Sequence, residues 1–550
     1  MKNRLLITAI IFVTVIAYAS CTKPESQLAL YVPKNATRVL TIDTKAITDK
    51  IASSGITIDS LASLFKEDEG EPGLQWNDIR NSGIDLNKSV YIFSKQTSSV
   101  QLGKIQSGAL IAEVADVNKL EAFFKKQTSN NVSSAEKFKY ISLNHESVAG
   151  WTNKIVIIST INAANNSSEN VSPQQQLTTL FTQKESASIA SLDEFENILA
   201  KPGDIHYYIN TATGLNATAI TGMTNLNSLV QDSYTEGVIN FEKGKIDATS
   251  ESHYNKTLSG ILTKYPSQSI HKDMIKSYPG ALASFGIISF DPKVLVDILH
   301  YIGFDVMADS FASGMGFTTN DVVNAFSGDV AIMYSPRSKT VKLQPGESGF
   351  LLNLAIGDKA AFDKVITGLL NKEILTKHGD GYQLGLAGGH GFVIETDNAS
   401  LFISSSDELI KAYQAPGNKT ALPPDIEKQI GGKTMALYVD INQLLQNKSA
   451  KDSSVDIHLQ DSYYVFNVSK AAKETFKNFI ATTDKGDGKS IKGNFELNFV
   501  NPNENSLASL AKFMAIARTE RLKQKNGWAA DPPLSGLHEE DSLAENKTDQ

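Results

Sequence analysis

Two regions of the chain repeat one order of apolar and polar positions. Residues 39–51 and residues 288–299 each consist of a short apolar run, an aspartate, and then apolar positions at helical spacing. The run predicts a strand, and the spacing predicts a helix. The junction aspartates, Asp43 and Asp291, belong to a residue type that accepts hydrogen bonds from the free amides of a first helical turn. We therefore predict that both are helix N-caps and that the chain contains a duplication.

The repeat continues in the same order further along the chain. The apolar run at residues 90–93 corresponds to the run at 330–333, and later runs end at Asp116 and Asp358. The helices predicted after those aspartates have apolar residues at i, i+3 and i+4, which is typical of one face packed on a core. These positions are Leu120, Phe123 and Phe124 in the first region and Phe362, Val365 and Ile366 in the second. Hairpins are predicted next, at residues 148–160 and 392–405.

Other segments alternate between apolar and polar residues. Residues 237–243 and 493–499 show this pattern, which is typical of an antiparallel sheet with one solvated face. We therefore predict an α+β fold of two related halves, each a largely antiparallel sheet with helices packed on one face. The predicted halves are residues 28–265 and 266–523, and the second ends in a helix at 506–523. Residues 524–550 are polar, acidic and aperiodic, so we predict a disordered tail.

The first 20 residues have the features of a secretory signal peptide. Lys2 and Arg4 form a short basic region, and residues 5–20 carry no charge. That uncharged stretch is shorter than the ~20 apolar residues that a spanning helix needs. We therefore predict that residues 1–20 are a signal peptide that is removed on export.

Cys21 is the only cysteine, and it follows the small residues Ala19 and Ser20. Small residues before a cysteine resemble a bacterial lipobox, although Tyr18 stands where leucine is usual. We predict lipid attachment at Cys21, with residues 21–27 as a tether, because such an anchor holds a domain at a bilayer without spanning it. The alternative is secretory cleavage after Ala19, which would leave an unpaired reactive thiol in an exported protein.

Composition narrows the classes of function. The chain has 52 basic and 60 acidic residues and a formal charge of -8, which argues against sequence-independent binding of nucleic acid. A single cysteine excludes thiolate zinc sites and iron–sulfur clusters. The nine histidines are widely spaced, the closest pair being His378 and His390, and no His-x-His or His-Glu-x-x-His motif occurs. We therefore predict neither a metal nor a cofactor.

One glycine-rich run stands out, at residues 385–391. Gly388, Gly389, His390 and Gly391 form a candidate ligand loop, because glycines let backbone amides approach an anion. The alternative is a loop that links two strands, which we favour because such glycines usually serve geometry. The first half has a histidine, His145, in the corresponding region but no glycines.

Two segments resemble a family of Bacteroidetes lipoproteins of unknown function. They are Tyr31-Val-Pro33-Lys-Asn35-Ala-Thr-Arg-Val-Leu-Thr-Ile-Asp43, after the signal peptide, and Tyr278-Pro279-Gly280-Ala, near the start of the second half. The resemblance covers about residues 28–523. It implies an envelope location in a bacterium with two membranes, at the outer membrane, and it supplies no catalytic residues. The periplasmic and the surface-facing orientation both stay open.

The favoured interpretation is a lipid-anchored cell-envelope protein with a non-catalytic binding or scaffold role. It would be held at the membrane through Cys21 and would have an envelope protein as its partner. One alternative is an envelope hydrolase whose site forms only in three dimensions. The other is a carrier of an apolar ligand in a deep pocket. No Gly-x-Ser-x-Gly motif occurs, so enzymatic activity is the less favoured interpretation.

Overall fold

The computed structural model describes residues 26–55, 76–99, 103–163, 172–214, 225–336, 341, 349–384, 392–417, 420–445 and 459–530. Within these ranges the strands form one antiparallel sheet. The strands of the first half are β1 (Arg38–Ile42), β2 (Val90–Ser99), β3 (Gly103–Glu113), β4 (Ser133–Ser134), β5 (Lys139–Ser142), β6 (Ser147–Trp151), β7 (Ile155–Ala163), β8 (Ile205–Asn210), β9 (Tyr234–Glu242) and β10 (Lys245–His253). Those of the second half are β11 (Ser284–Ser289), β12 (Phe326–Ser335), β13 (Gly349–Ile356), β14 (Leu375–His378), β15 (Gly381–Leu384), β16 (Val393–Thr396), β17 (Ser400–Ser404), β18 (Met435–Asp440), β19 (Phe476–Thr483) and β20 (Ser490–Phe499).

Helices connect the strands in both halves. In the first half they are α1 (Thr44–Ser53), α2 (Trp76–Arg80), α3 (Val117–Gln127), α4 (Pro173–Thr182), α5 (Asp193–Leu199), α6 (Thr211–Gly214), α7 (Leu226–Val230) and α8 (Lys256–Leu262). After these come α9 (Asp273–Lys276), α10 (Lys293–Tyr301), α11 (Asp305–Gly314), α12 (Thr319–Ala325), α13 (Lys359–Asn371), α14 (Asp407–Gln414), α15 (Pro424–Gln429), α16 (Ile441–Leu444), α17 (Leu459–Thr475) and α18 (Ser506–Ala530). Short 3-10 segments lie at Ser26–Tyr31, Glu185–Ala187 and Ile189–Ser191.

The two halves have the same strand order. Registers place the first ten strands in the order β4-β5-β6-β7-β3-β2-β1-β8-β9-β10. The next ten follow the order β14-β15-β16-β17-β13-β12-β11-β18-β19-β20. Each strand of the second half thus has the same position as the strand numbered ten lower in the first half, as β11 does relative to β1. An antiparallel pairing of β10 with β20 joins them into one sheet. The predicted α+β fold with antiparallel sheets is confirmed.

Aspartates begin the helices that follow corresponding strands. Asp43 accepts a hydrogen bond from the Ala46 amide at 2.9 Å at the start of α1. Asp116 caps α3 and Asp358 caps α13 in the same way. Asp291 accepts from the Lys293 amide at 3.0 Å, at the start of α10. The N-cap predicted at Asp43 is confirmed, and Asp116 and Asp358 cap their helices too, because each carboxylate satisfies amides that the helix itself leaves unpaired. The N-cap of α10 is Pro292, so the prediction that Asp291 is the N-cap is wrong by one residue.

Helices pack against both faces of the outer strands, which differs from the single helical face predicted. In β2, Val90 and Ile92 belong to a core with Leu120 of α3. Tyr91 and Phe93 belong to a second core, which includes Leu177 of α4 and Phe195 of α5. Successive side chains of a strand point to opposite faces, and four consecutive apolar residues therefore need cover on both. The alternating segments used for the prediction come from β9 and β20, near the middle of the sheet.

The last helix is longer than predicted. We expected it to end at residue 523, whereas α18 continues to Ala530. The first part of the predicted tail is therefore helical, and residues 531–550 lie outside the described residues. No helix in the described ranges combines the length and the apolar character required to cross a bilayer.

Candidate functional site

One line of directly opposed residues crosses the sheet from one half to the other. Directly opposed residues on antiparallel strands lie on the same face. We call this side of the sheet the apolar face, because every residue in the line is apolar. In order across the strands they are Ile42, Ile205, Ile239, Ala248, Phe495, Ala481, Leu437, Gly286 and Ile332.

The apolar face is covered at its flanks and partly open near its middle. Helices α1, α3 and α18 contribute to the core on one flank, and α11, α12 and α13 to that on the other. Between them, Phe495 is 38%, Leu437 41% and Ile332 46% exposed. These three residues lie on alternate strands, with the buried Ala481 and the partly buried Gly286 between them.

A cavity of about 650 Å³ opens on the apolar face of the first half. This size is typical of small-molecule sites. Its floor includes Leu40 of β1, which lies directly opposite Ile92 of β2 and Tyr207 of β8. Ile209 and Ile239 extend the floor toward the centre of the sheet. The floor therefore suits an apolar group.

One end of the cavity is polar. Arg38 lies opposite Ser94, the neighbouring strands contribute Gly108 and Thr160, and Gln106 and Asn162 also line this end. Arg38 is exposed, and its guanidinium has no hydrogen-bond or ion-pair partner within the part of the chain that the structure describes. An unpartnered guanidinium is a ready donor to a carboxylate or phosphate. Glu146 also lines the cavity and is the acidic group among its described lining residues.

Tyr207 forms a fixed wall of the cavity. Its hydroxyl donates a hydrogen bond to the carbonyl oxygen of Thr249 at 3.2 Å. Burial raises the pKa of the Tyr207 phenol, so it stays neutral and keeps donating at physiological pH. The ring lies over Gly237, where a Cβ would be 2.3 Å from the phenol carbon and oxygen. Glycine at this position is therefore what allows the ring to lie flat on the sheet.

The register position of Arg38 is occupied by a serine in the second half. Ser94 of β2 corresponds to Tyr334 of β12 in the repeat, and the residue opposite Tyr334 is Ser284. Ser284 thus stands where the first half has Arg38. At the described register positions the apolar residues thus recur in both halves, whereas the arginine does not.

The residues singled out from the sequence are not among the described residues that line this cavity. Cys21 and the glycine loop with Gly388, Gly389, His390 and Gly391 lie outside the described residues. Arg38 falls within the segment that carries the family resemblance, yet nothing in its sequence context sets it apart from a solvated arginine. The described lining combines an apolar floor, one guanidinium, hydroxyls and amides, an arrangement that can hold and orient an amphipathic molecule.

Comparisons with known proteins give one family and a few partial structural similarities. A family model described as a domain of unknown function, DUF4836, matches residues 31–447. A comparison with curated proteins gives no match. Crystal forms III and IV of TP0453 have TM-scores of 0.25, with 12% and 11% identity, and cover 46% and 43% of this chain and 90% and 84% of that chain. Crystal form I of TP0453 has a TM-score of 0.24 and 11% identity, covering 43% of this chain and 81% of that one.

Proposed function

The chain belongs to the DUF4836 family, and from its structure we propose that it is a lipid-anchored cell-envelope protein that binds an anionic amphiphile. The bound molecule would place its apolar chain on the apolar face and its carboxylate or phosphate at Arg38. The role is binding rather than catalysis. The observation that carries the proposal is the Arg38 guanidinium at the polar end of an apolar cavity, where no other described residue pairs with it.

The apolar floor of the cavity would bind the chain of the ligand, and the polar end would bind its anionic group. Each methylene group moved from water onto apolar surface contributes about 0.8 kcal/mol. A charge-assisted hydrogen bond contributes about 1.5–3 kcal/mol. The chain therefore supplies most of the affinity, and Arg38 supplies the preference for an anion.

The lipid anchor completes the proposal. A chain attached at Cys21 begins its described part at Ser26, so the first half would be held close to the bilayer. An amphiphile taken from that bilayer would then have a short path to the cavity. We place the protein at the outer membrane, with the periplasmic and surface-facing orientations both compatible with this role.

The ligand class is tested by calorimetric titration of the full mature chain with three probes. Palmitate carries a carboxylate, palmitoyl lysophosphatidate carries a phosphate, and hexadecanol has the same chain length without a charge. We expect both anions to bind more tightly than the alcohol, and Arg38→Gln to weaken them by about tenfold or more. The matched control is Arg521→Gln, which removes an exposed arginine of α18 outside the cavity. Equal binding of charged and neutral probes, or no effect of Arg38→Gln, would overturn the proposal.

The anchor has a separate test. Cys21→Ser should release the protein from the membrane pellet of its native cells into the soluble fraction, while the calorimetric affinities stay the same. Labelling with a fatty-acid analogue should mark the wild-type chain and not the variant. A Cys21→Ser chain that still sediments with the membranes and still takes up the label would refute attachment at this residue.

A further inference from the structure

We propose that Glu236, Glu251 and His253 form a binding site for a divalent transition metal ion such as Zn²⁺. Glu236 lies in β9 directly opposite Glu251 in β10, and His253 is two residues further along β10. One ligand atom from each of the three residues lies within 4.8 Å of the other two. The proposal does not depend on the function proposed above.

The site is separate from the cavity. Glu236 immediately precedes Gly237, which lies under the ring of Tyr207 on the apolar face. Successive residues of a strand point to opposite faces, so Glu236 is on the other face of the sheet. Glu251 and His253 share that face with it because Glu251 is its direct partner.

The strongest evidence for a bound ion is a ring nitrogen of His253 that has no hydrogen-bond partner among the described residues. This atom, Nε2, is buried. It lies 3.9 Å from Oε1 of Glu236 and 3.9 Å from Oε1 of Glu251, too far for a hydrogen bond to either. Buried polar atoms normally have a partner, and an exception points to a water or an ion. A cation at the centre of the three atoms would be about 2.5 Å from each, and a shift of a few tenths of an ångström would reach zinc–ligand distances.

The surroundings hold the three ligands in place. The ring of Tyr234 stacks on His253 with centroids 4.6 Å apart, and Tyr208 stacks on Tyr234 at 5.4 Å. The Ser490 hydroxyl donates a hydrogen bond to Glu251 at 3.2 Å. The imidazole plane and one carboxylate are thus oriented before any ion binds, and such outer contacts typically strengthen metal binding 10–100-fold.

Two lysines form ion pairs with the carboxylates. Lys201 donates to Oε1 of Glu236 at 2.8 Å, and the Lys492 amine is 3.7 Å from Oε2 of Glu251. Like charges directly opposite one another in a sheet repel, so the two glutamates need a cation between or beside them. Lys201 is half exposed and can leave for solvent when a metal ion takes its place. It therefore competes with the metal.

The donor set selects the kind of ion. One imidazole nitrogen and two carboxylate oxygens suit Zn²⁺ and its neighbours rather than Ca²⁺ or Mg²⁺, which prefer oxygen alone. Three protein ligands leave a fourth position for water or for a group from a partner. The sequence predicted no metal site because the ligands come from two strands and match no spacing motif.

Zinc titration of the chelator-treated full mature chain tests the site. Calorimetry should show one Zn²⁺ per chain, with affinity at least tenfold weaker in Glu251→Gln and in His253→Ala. His145→Ala, which removes an exposed histidine elsewhere, should leave the affinity unchanged. A chain that takes up no zinc, or variants that bind it as tightly as the wild type, would overturn the proposal.

Two further measurements separate metal binding from a loss of folding. Zinc should raise the melting temperature of the wild type and not that of Glu251→Gln, while circular dichroism of the two chains stays the same. Lys201→Met should increase zinc affinity, because it removes the competing amine. A decrease or no change in Lys201→Met would contradict the assignment of Glu236 as a ligand.

Discussion

Ala248 of β10 lies directly opposite Phe495 of β20, in the pair of strands that joins the two halves. The small methyl group of Ala248 covers little of the aromatic ring, and Phe495 remains 38% exposed. The joint between the halves thus presents an aromatic ring on the apolar face, in line with the floor of the cavity at Ile239. A long ligand that starts at Arg38 and follows the face would reach this ring.

The length of the bound chain can be tested at that position. Phe495→Asp should weaken palmitate binding about tenfold or more and leave octanoate binding unchanged, because only the longer chain would extend to the joint. Calorimetry with both acids measures the difference. Val500→Asp is the matched control, since Val500 is 46% exposed and outside the apolar line. Equal losses for the two acids would mean that the chain does not follow the face.

Gly237→Ala should damage both stability and binding. A Cβ there would lie 2.2 Å from the Thr249 carbonyl oxygen and 2.3 Å from the Tyr207 ring, so strand and ring must shift. Overpacking of this kind costs about 1–3 kcal/mol. Urea unfolding should show that loss, and palmitate affinity should fall with it. Gly260→Ala serves as control, because nothing lies within 4 Å of a Cβ at that helical position and alanine there should be neutral or slightly stabilising.

A buried hydrogen-bond chain in the second half gives a third prediction. The Tyr413 hydroxyl accepts from the Asn353 side-chain amide at 2.8 Å and donates to the Met274 carbonyl oxygen at 2.7 Å. Tyr413→Phe would leave the buried Asn353 without this partner, at a cost of about 1–3 kcal/mol. Urea unfolding of the double variant Tyr413→Phe/Asn353→Leu should recover part of that loss, because leucine needs no hydrogen bond. A double variant as unstable as the sum of the single ones would argue that the two side chains act independently.

Asp321 should make stability depend on acid pH. The Lys364 amine, then the Thr318 amide and hydroxyl, donate hydrogen bonds to its carboxylate and lower its pKa. A lowered pKa in the folded state means stabilisation that is present above about pH 4 and lost as the pH falls through the folded value. Asp321→Asn should therefore cost about 0.5–1 kcal/mol at neutral pH, and the difference should vanish in acid.

Urea unfolding of wild type and Asp321→Asn between neutral and acid pH measures this difference. The control is Asp363→Asn on α13, whose exposed ion pair with Lys359 should contribute little at any pH. If the free energies of unfolding of wild type and Asp321→Asn differ by the same amount across the whole pH range, the variant loses stability through altered cap geometry and not through the lost charge.

The helix caps, the duplication and the antiparallel strands could be predicted because each depends on residues that are close together in the sequence. Asp43, Asp116 and Asp358 each follow a strand at equivalent places, and capping depends on residues only a few positions away. The duplication could be seen for the same reason, because a repeated local pattern folds into a repeated local structure. The antiparallel pairing of the strands at residues 237–243 and 493–499 with their neighbours could likewise be predicted from their alternation of apolar and polar residues.

The joint between the halves and the two candidate sites could not be predicted, because they depend on the register between separate strands. The pairing of Ala248 with Phe495 joins positions far apart in the chain, and no local pattern specifies it. Arg38 becomes a candidate ligand-binding residue only when Leu40, Ile92 and Tyr207 are seen beside it. His253 likewise becomes informative only when register places it beside both glutamates.

Among the described residues, the sheet ends in a short strand on each side. One end is β4, the exposed two-residue strand Ser133–Ser134, and the other is β14, Leu375–His378, in which Lys377 and His378 are exposed. A long bare strand at either end would invite the sheet of another molecule to continue the ladder of backbone hydrogen bonds. Copies at high local concentration would then be able to polymerise into filaments. The two residues of β4 and the charged end of β14 offer little backbone for such an extension.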